Sequence, residues 1–155
     1  MRLAVTGHRP NKLGGYHLEV RAKLVELMRP IIHKLQPELV YTGMAQGLDQ
    51  AVAYVCIQEN IPFIACIPCD NQDALWPVDA KKRYATYLAR AKEVINVAPG
   101  PYAAYKMQLR NEYMIDHCDH LVALWDGSSG GTANCVNYAV RKHIPVTQIW
   151  SLWDK

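Results

Sequence analysis

Nowhere in the 155 residues does an apolar run approach the ~20 that a membrane-spanning helix needs. Nor is there a charged leader followed by an apolar stretch and a small-residue cleavage site. No membrane partner is expected, and the expected location is the cytoplasm. Charge of one sign is lacking too. The net charge is +3 with histidines neutral, which calls for no nucleic-acid partner. Lysines and arginines scatter over presumed helix faces, as at Arg21, Lys23, Arg29 and Lys34, and read as solvated surface. No basic stripe interleaves with aromatics. There is no Gly-Lys-Ser/Thr of a Walker loop and no G-x-G-x-x-G. No internal repeat, low-complexity tract or domain boundary appears, so one domain over residues 1–155 is expected.

Cysteine is present five times, at Cys56, Cys66, Cys69, Cys118 and Cys135. An odd number without a secretion signal reads as reduced thiols. The C-x-x-C of Cys66 and Cys69 ends an apolar stretch instead of opening a helix, and no second pair exists to complete a zinc site. "DHCDH" (116–120) straddles a helix end and a strand start, so its side chains diverge. Neither a metal nor a cofactor is expected.

What the chain does have is alternation. Short apolar runs at 2–7, 38–43, 61–68, 93–98, 120–127 and 144–150 read as strands. Between them, 16–36, 44–60, 78–91, 102–118 and 131–143 carry helical spacing. Pro30 threatens to break the first helix. Near-continuous apolar strands separated by helices predict an α/β, Rossmann-like, doubly wound sandwich with a mainly parallel sheet.

In such folds ligands lie beyond the carboxyl ends of the strands, and there the polar residues collect. Gly7, His8 and Arg9 follow the first strand. Thr42, Gly43, Met44, Gly47 and Asp49 follow the second, and Gln72 and Trp76 lie in the long loop after the third. Asp126, Gly127, Gly130, Gly131 and Thr132 follow "LVALW". The "DGSSGGT" turn offers free N–H groups and hydroxyls to a phosphate. As a plain turn it would have Thr132 as N-cap. Asp49 reads as a dipole partner of its helix or as an acceptor for ribose hydroxyls. On the 102–118 helix, Arg110 and Asn111 lie about 60° and 40° to either side of the Met107–Met114 face. From there Arg110 would reach past the sheet edge toward an anion. Trp76 and Gln72 would stack on and hydrogen-bond a base, or Trp76 would fill the loop's own core.

The motifs "TGHRP", "TGMAQGLD", "QDALW", "RNEYMIDHCDHLVALWDG" and "GGTANCVNYA" resemble, in order and over nearly the whole chain, the YpsA-like branch of the SLOG (SMF/DprA–LOG) superfamily. The resemblance implies a nucleotide-binding domain. "GGT" is similar to the phosphate turn of the LOG phosphoribohydrolases, and "RNEYM" to their R-K-x-x-M helix, with Asn111 replacing lysine. Their catalytic glutamate has Cys135 in its place, which leaves Arg110, Glu112 and Asp126 as the catalytic candidates of an enzyme reading. "TGMAQGLD" is similar to a signature of the DprA branch, which binds single-stranded DNA. The expected function is therefore binding of a nucleotide-derived small molecule, of ADP-ribose or cyclic-nucleotide type, by a sensor or sequestering module. A LOG-type hydrolase and a DprA-type DNA binder are the alternatives. A homo-oligomer is expected, with Trp150 and Trp153 either at an interface or as a lid over the core.

Overall fold

A computed structural model describes residues 1–154. The chain alternates β1 (Arg2–Gly7), α1 (Leu18–Leu35), β2 (Leu39–Thr42), α2 (Leu48–Glu59), β3 (Phe63–Ile67), α3 (Val78–Arg90), β4 (Glu93–Asn96), α4 (Ala104–His117), β5 (His120–Leu124), α5 (Gly131–Arg141), β6 (Val146–Gln148) and α6 (Trp150–Trp153). The six strands form one sheet in the order β4-β3-β2-β1-β5-β6, and every pairing is parallel. This is an α/β Rossmann-like sandwich, with its sheet parallel throughout.

Alternation along the strands sorts side chains into two cores, because successive residues point to opposite faces. Leu3, Val5, Val40, Phe63, Val122 and Leu124 pack with α1 (Leu24, Met28, Ile32), α2 and Tyr84 of α3. Ala4, Tyr41, Ile64, Cys66, Leu121 and Ala123 pack with Met114 and Ile115 of α4 and Cys135, Val136 and Ala139 of α5. Trp153 closes the first core from the C-terminus, with the Lys23 ammonium 4.0 Å over its ring. Of the two roles open for this tryptophan, it takes the lid.

α1 and α2 differ from the spacing-based expectation in more than a residue or two at an end. Pro30 lies inside α1, which runs on without a break. Pro30 is exposed, so the carbonyl it leaves unbonded faces water, while the buried stripe Leu24–Met28–Ile32 is undisturbed. The helix expected from residue 44 starts only at Leu48. Met44 (φ +62°) and Gly47 (φ +102°) are both left-handed, and a right-handed helix cannot begin before them.

Gly7 ends β1 opposite Leu124. A Cβ here would stand 2.8 Å from Leu48 Cδ2 and 3.2 Å from Leu124 Cβ, so the glycine lets α2 approach the sheet. Gly7→Ala is expected to cost about 1–3 kcal/mol by overpacking, measurable as a lowered urea midpoint at unchanged m-value.

Candidate functional site

The chain leaves β1 toward α1 on one face of the sheet and leaves β5 toward α5 on the other. β1 and β5 are neighbours, so the sheet order reverses between them, and a crevice opens beyond their carboxyl ends. A cleft of about 480 Å³ lies there. Its lining comes from the β1 end (Thr6, Gly7, His8, Arg9) and the short turn Pro10–Lys12 (Asn11, Lys12), from Ala45 and Asp49 at α2, from α4 between Ala104 and Met114 with Tyr102 before it, and from the α5 start.

The α5 end is built to donate. Gly130 flanks the helix at φ +138°, ψ −163°, a conformation essentially closed to residues with a Cβ. No side chain caps α5. The expected Thr132 cap is replaced by Gly130, with Thr132 as the second residue of the helix. The first intrahelical bond runs from Asn134 N–H to the Gly130 carbonyl, which leaves the N–H groups of the first turn free of helix partners. A Cβ on Gly130 or Gly131 would meet nothing within 4 Å. Ser129, Gly130, Gly131, Thr132 and Asn134 all line the cleft.

The loops on either side are tied together. Asp126 N–H donates to His8 Nε2 (3.0 Å) and Asp126 Oδ1 lies 2.8 Å from the same nitrogen. Asp126 Oδ1 also accepts from the Ser128 hydroxyl and from Ser128 N–H (2.9 Å). These Ser128 donors, with His8, hold the Asp126 carboxyl well below the usual carboxylate range. Lys12 Nζ donates to Ser128 Oγ (2.8 Å). Trp150 meets the His8 ring edge-on at 5.9 Å. Asp126 and Gly127 thus shape the loop and do not line the cleft.

The floor is a buried polar cluster. Asp49 is 8% exposed and its Oδ2 accepts from Ala45 N–H (3.2 Å). Burial pushes its carboxyl up to about 6, against the pull of the Arg110 guanidinium, the Ala45 N–H and Arg9. Arg110 does not reach outward as its helix position suggested. It is 5% exposed, and its Nη1 donates to the Gly43 carbonyl (2.5 Å) and the Cys66 carbonyl (3.4 Å). Its Nε donates to Asn111 Oδ1 (3.0 Å), and Asn111 Nδ2 donates to the Gly131 carbonyl (3.4 Å). Only Nη2 has no protein partner among the described residues, and the side chain borders the cleft. Arg9, exposed at the rim, makes no side-chain hydrogen bond or ion pair among the described residues.

Gly7, His8, Arg9, Asp49, Arg110, Asn111, Gly130, Gly131 and Thr132 therefore meet in one cleft. The others do not. Met44 is wholly buried in the first core. Thr42 is buried and donates to the Asp49 carbonyl (2.8 Å). Gly43 lies behind Arg110. Gly47 lines a separate groove of about 520 Å³ between α1, α2 and α3. Gln72 donates to the Gly43 carbonyl (3.2 Å) and accepts from Tyr84 (3.0 Å), while Trp76 packs edge-on against Tyr84 at 5.1 Å. Glu112 accepts from Gln108 Nε2 (3.0 Å) outside the cleft. Lys12, Tyr102, Gln108 and Asn134 line the cleft without having been singled out. Asn134 shares a helix face with Gly130 and Gly131, a signal that was available. No three His, Cys, Asp or Glu side chains converge as a metal would need among the described residues.

A model of the YspA SLOG family matches residues 3–149. The chain belongs to that family. An uncharacterized SPbeta prophage-derived protein, YoqJ, from Bacillus subtilis is 37% identical over 152 residues, spanning 87% of this chain and 88% of the relative. Two solved structures share the SLOG-type fold. DNA processing protein A from Helicobacter pylori, described with a single-stranded DNA binding mode, superposes with TM-score 0.68 at 15% identity, covering 96% of this chain and 64% of that one. The molybdenum cofactor carrier protein from Chlamydomonas reinhardtii gives 0.59 at 16% identity, covering 95% and 74%. Within this SLOG chain, Cys135 is wholly buried beneath the cleft, and burial pushes its thiol up to about 12. That position supplies neither a carboxylate nor a thiolate.

Proposed function

We propose that the protein binds a nucleotide-derived ligand, of ADP-ribose or cyclic-nucleotide type, in the β1/β5 cleft, as a sensing or sequestering module. One observation carries the reading: an uncapped helix start, with glycines opening the approach, faces the same cleft as the unpaired Arg9 and the singly bonded Lys12. A phosphate there gains N–H donors, a positive helix end and two cations. Neighbours of this fold described as binding single-stranded DNA and as carrying a molybdenum cofactor support a binding role.

Native mass spectrometry with AMP, ADP-ribose, NAD and cyclic nucleotides tests it. An adduct at intact ligand mass, stable for hours, is expected. A product mass in its place supports the hydrolase alternative, for which Asp49, protonatable near pH 6 in the cleft floor, is the observation in favour. If no member of the panel binds, the reading falls.

Arg9→Ala removes a side chain with no structural partner. Affinity is expected to drop by about 1.5–3 kcal/mol, the range of charge-assisted hydrogen bonds. Folding stability should stay within ~0.5 kcal/mol. Calorimetric titration beside urea denaturation separates the two.

A further inference from the structure

The segment 97–103 between β4 and α4 has no regular structure and is nevertheless fixed at several points. Val97 N–H donates to the Ile67 carbonyl (3.0 Å), and the Gly100 carbonyl accepts from Asp70 N–H (3.0 Å). Lys106, only 6% exposed, turns back on the same segment. Its ammonium donates to the carbonyls of Pro99 (3.1 Å) and Pro101 (2.7 Å). No carboxylate pairs with it among the described residues. A buried ammonium without a counter-ion is costly to keep, and surface exposure is the default for lysine. Here the charge is spent on holding two prolyl carbonyls. Gly100, at φ +105°, lets the backbone pass the ammonium, since a Cβ there would lie 3.3 Å from Nζ.

The residue this clamp presents is Tyr102. It is 68% exposed, has no hydrogen-bond or aromatic partner among the described residues, and borders the cleft with Ala104 and Met107. Together with the donor-rich α5 start, the cleft thus has an aromatic and apolar stretch at Tyr102, Ala104 and Met107. Tyrosine supplies a broad flat face with little rotamer freedom to lose.

We propose that Tyr102 is the stacking platform for the planar base of the ligand and that Lys106 is its positioning residue. The inference rests on the reading of the cleft as a nucleotide site and narrows it: the ligand carries an aromatic heterocycle as well as phosphate, and a bare sugar phosphate is a poor ligand.

The test titrates wild type, Tyr102→Ala, Tyr102→Phe, Lys106→Met and Arg9→Ala with AMP, ADP-ribose and ribose 5-phosphate. Base stacking on an aromatic side chain makes alanine substitution cost about tenfold or more in affinity. Tyr102→Ala should therefore bind AMP and ADP-ribose about tenfold more weakly and ribose 5-phosphate unchanged. Tyr102→Phe should keep wild-type affinity. Lys106→Met should copy the base-selective loss of Tyr102→Ala; a general structural defect would weaken all three ligands alike. Tyr102 is exposed, so its variants fold whatever Lys106→Met does. If Tyr102→Ala binds AMP and ADP-ribose as wild type does, or loses all three ligands equally, the stacking assignment is wrong. In that case a persistent Arg9→Ala defect leaves the cleft reading standing. If wild type binds none of the three, or Arg9→Ala changes nothing, the cleft reading itself fails and takes this proposal with it.

Discussion

Arg110→Met should lower folding stability by about 3 kcal/mol, where the outward-reaching arginine suggested by the sequence would have cost only affinity. The guanidinium holds the carbonyls of Gly43 and Cys66 and the Asn111 side chain. Methionine fills a similar volume and makes none of these bonds. The Gly43 carbonyl keeps its bond from Gln72, but the bonds to Cys66 and Asn111 have no substitute, and unsatisfied buried acceptors cost about 1–3 kcal/mol each. The Asp49 carboxyl loses the cation that most offsets its burial. The local sequence is shaped around this side chain. A Cβ on Gly43 would stand 2.7 Å from Arg110 Cζ, so glycine at 43 makes room for the guanidinium and not for a ligand. Urea denaturation at pH 7 measures the effect. A loss below ~1 kcal/mol would mean that the guanidinium is solvated in the folded protein and its bonds to the carbonyls are incidental. Arg9→Ala and Arg110→Met thus form a contrast: the first acts on affinity alone, the second on stability first.

The strands were legible because a sheet covered on both faces needs near-continuous apolar runs, and "RLAVT", "FIACI" and "HLVAL" are such runs. Helix boundaries were less so, since the start of α2 is set by left-handed backbone at Met44, and methionine carries no turn signal. Arg9 and the turn 130–132 were legible because position after a strand of an α/β fold decides where they lie. Trp76 and Gln72 satisfied the same rule and still turned away. Tyr84 on α3 captures both, and a contact between a loop and a later helix has no period to betray it. Tyr102 was hidden for the opposite reason. It abuts the periodic stretch and read as the first residue of α4, whereas the helix begins at Ala104 and the buried Lys106 holds the loop before it. A lysine five residues past a Pro-Gly-Pro gives no sign in sequence of being buried.

Asp49→Asn should stabilise the protein above pH 6 and leave it unchanged near pH 4. Burial raises the folded-state carboxyl to about 6 from an ordinary 3.8. Between those values the native state holds a proton that the unfolded chain has released. Native protons then outnumber unfolded ones, so stability falls as pH rises through this window. Above it the charged form bears the full cost of burial, of order 3 kcal/mol for a shift of this size. Asparagine keeps the shape and an acceptor for Ala45 N–H, and has no charge to bury. The variant-minus-wild-type difference should climb from near zero at pH 4 to about 2–3 kcal/mol at pH 8. Taking that difference cancels Glu59, Asp79, Asp119 and Asp126, whose carboxyls are held low by their own partners and which weaken both proteins alike as acid is added. A difference independent of pH would show that Asp49 is well solvated when folded. The two large effects are also coupled. Without the guanidinium the carboxylate is more costly, so Asp49→Asn should recover part of the stability lost in Arg110→Met. A double-mutant cycle at pH 8 should give a coupling of about 1 kcal/mol or more, and one at pH 4, where Asp49 is protonated, should give much less.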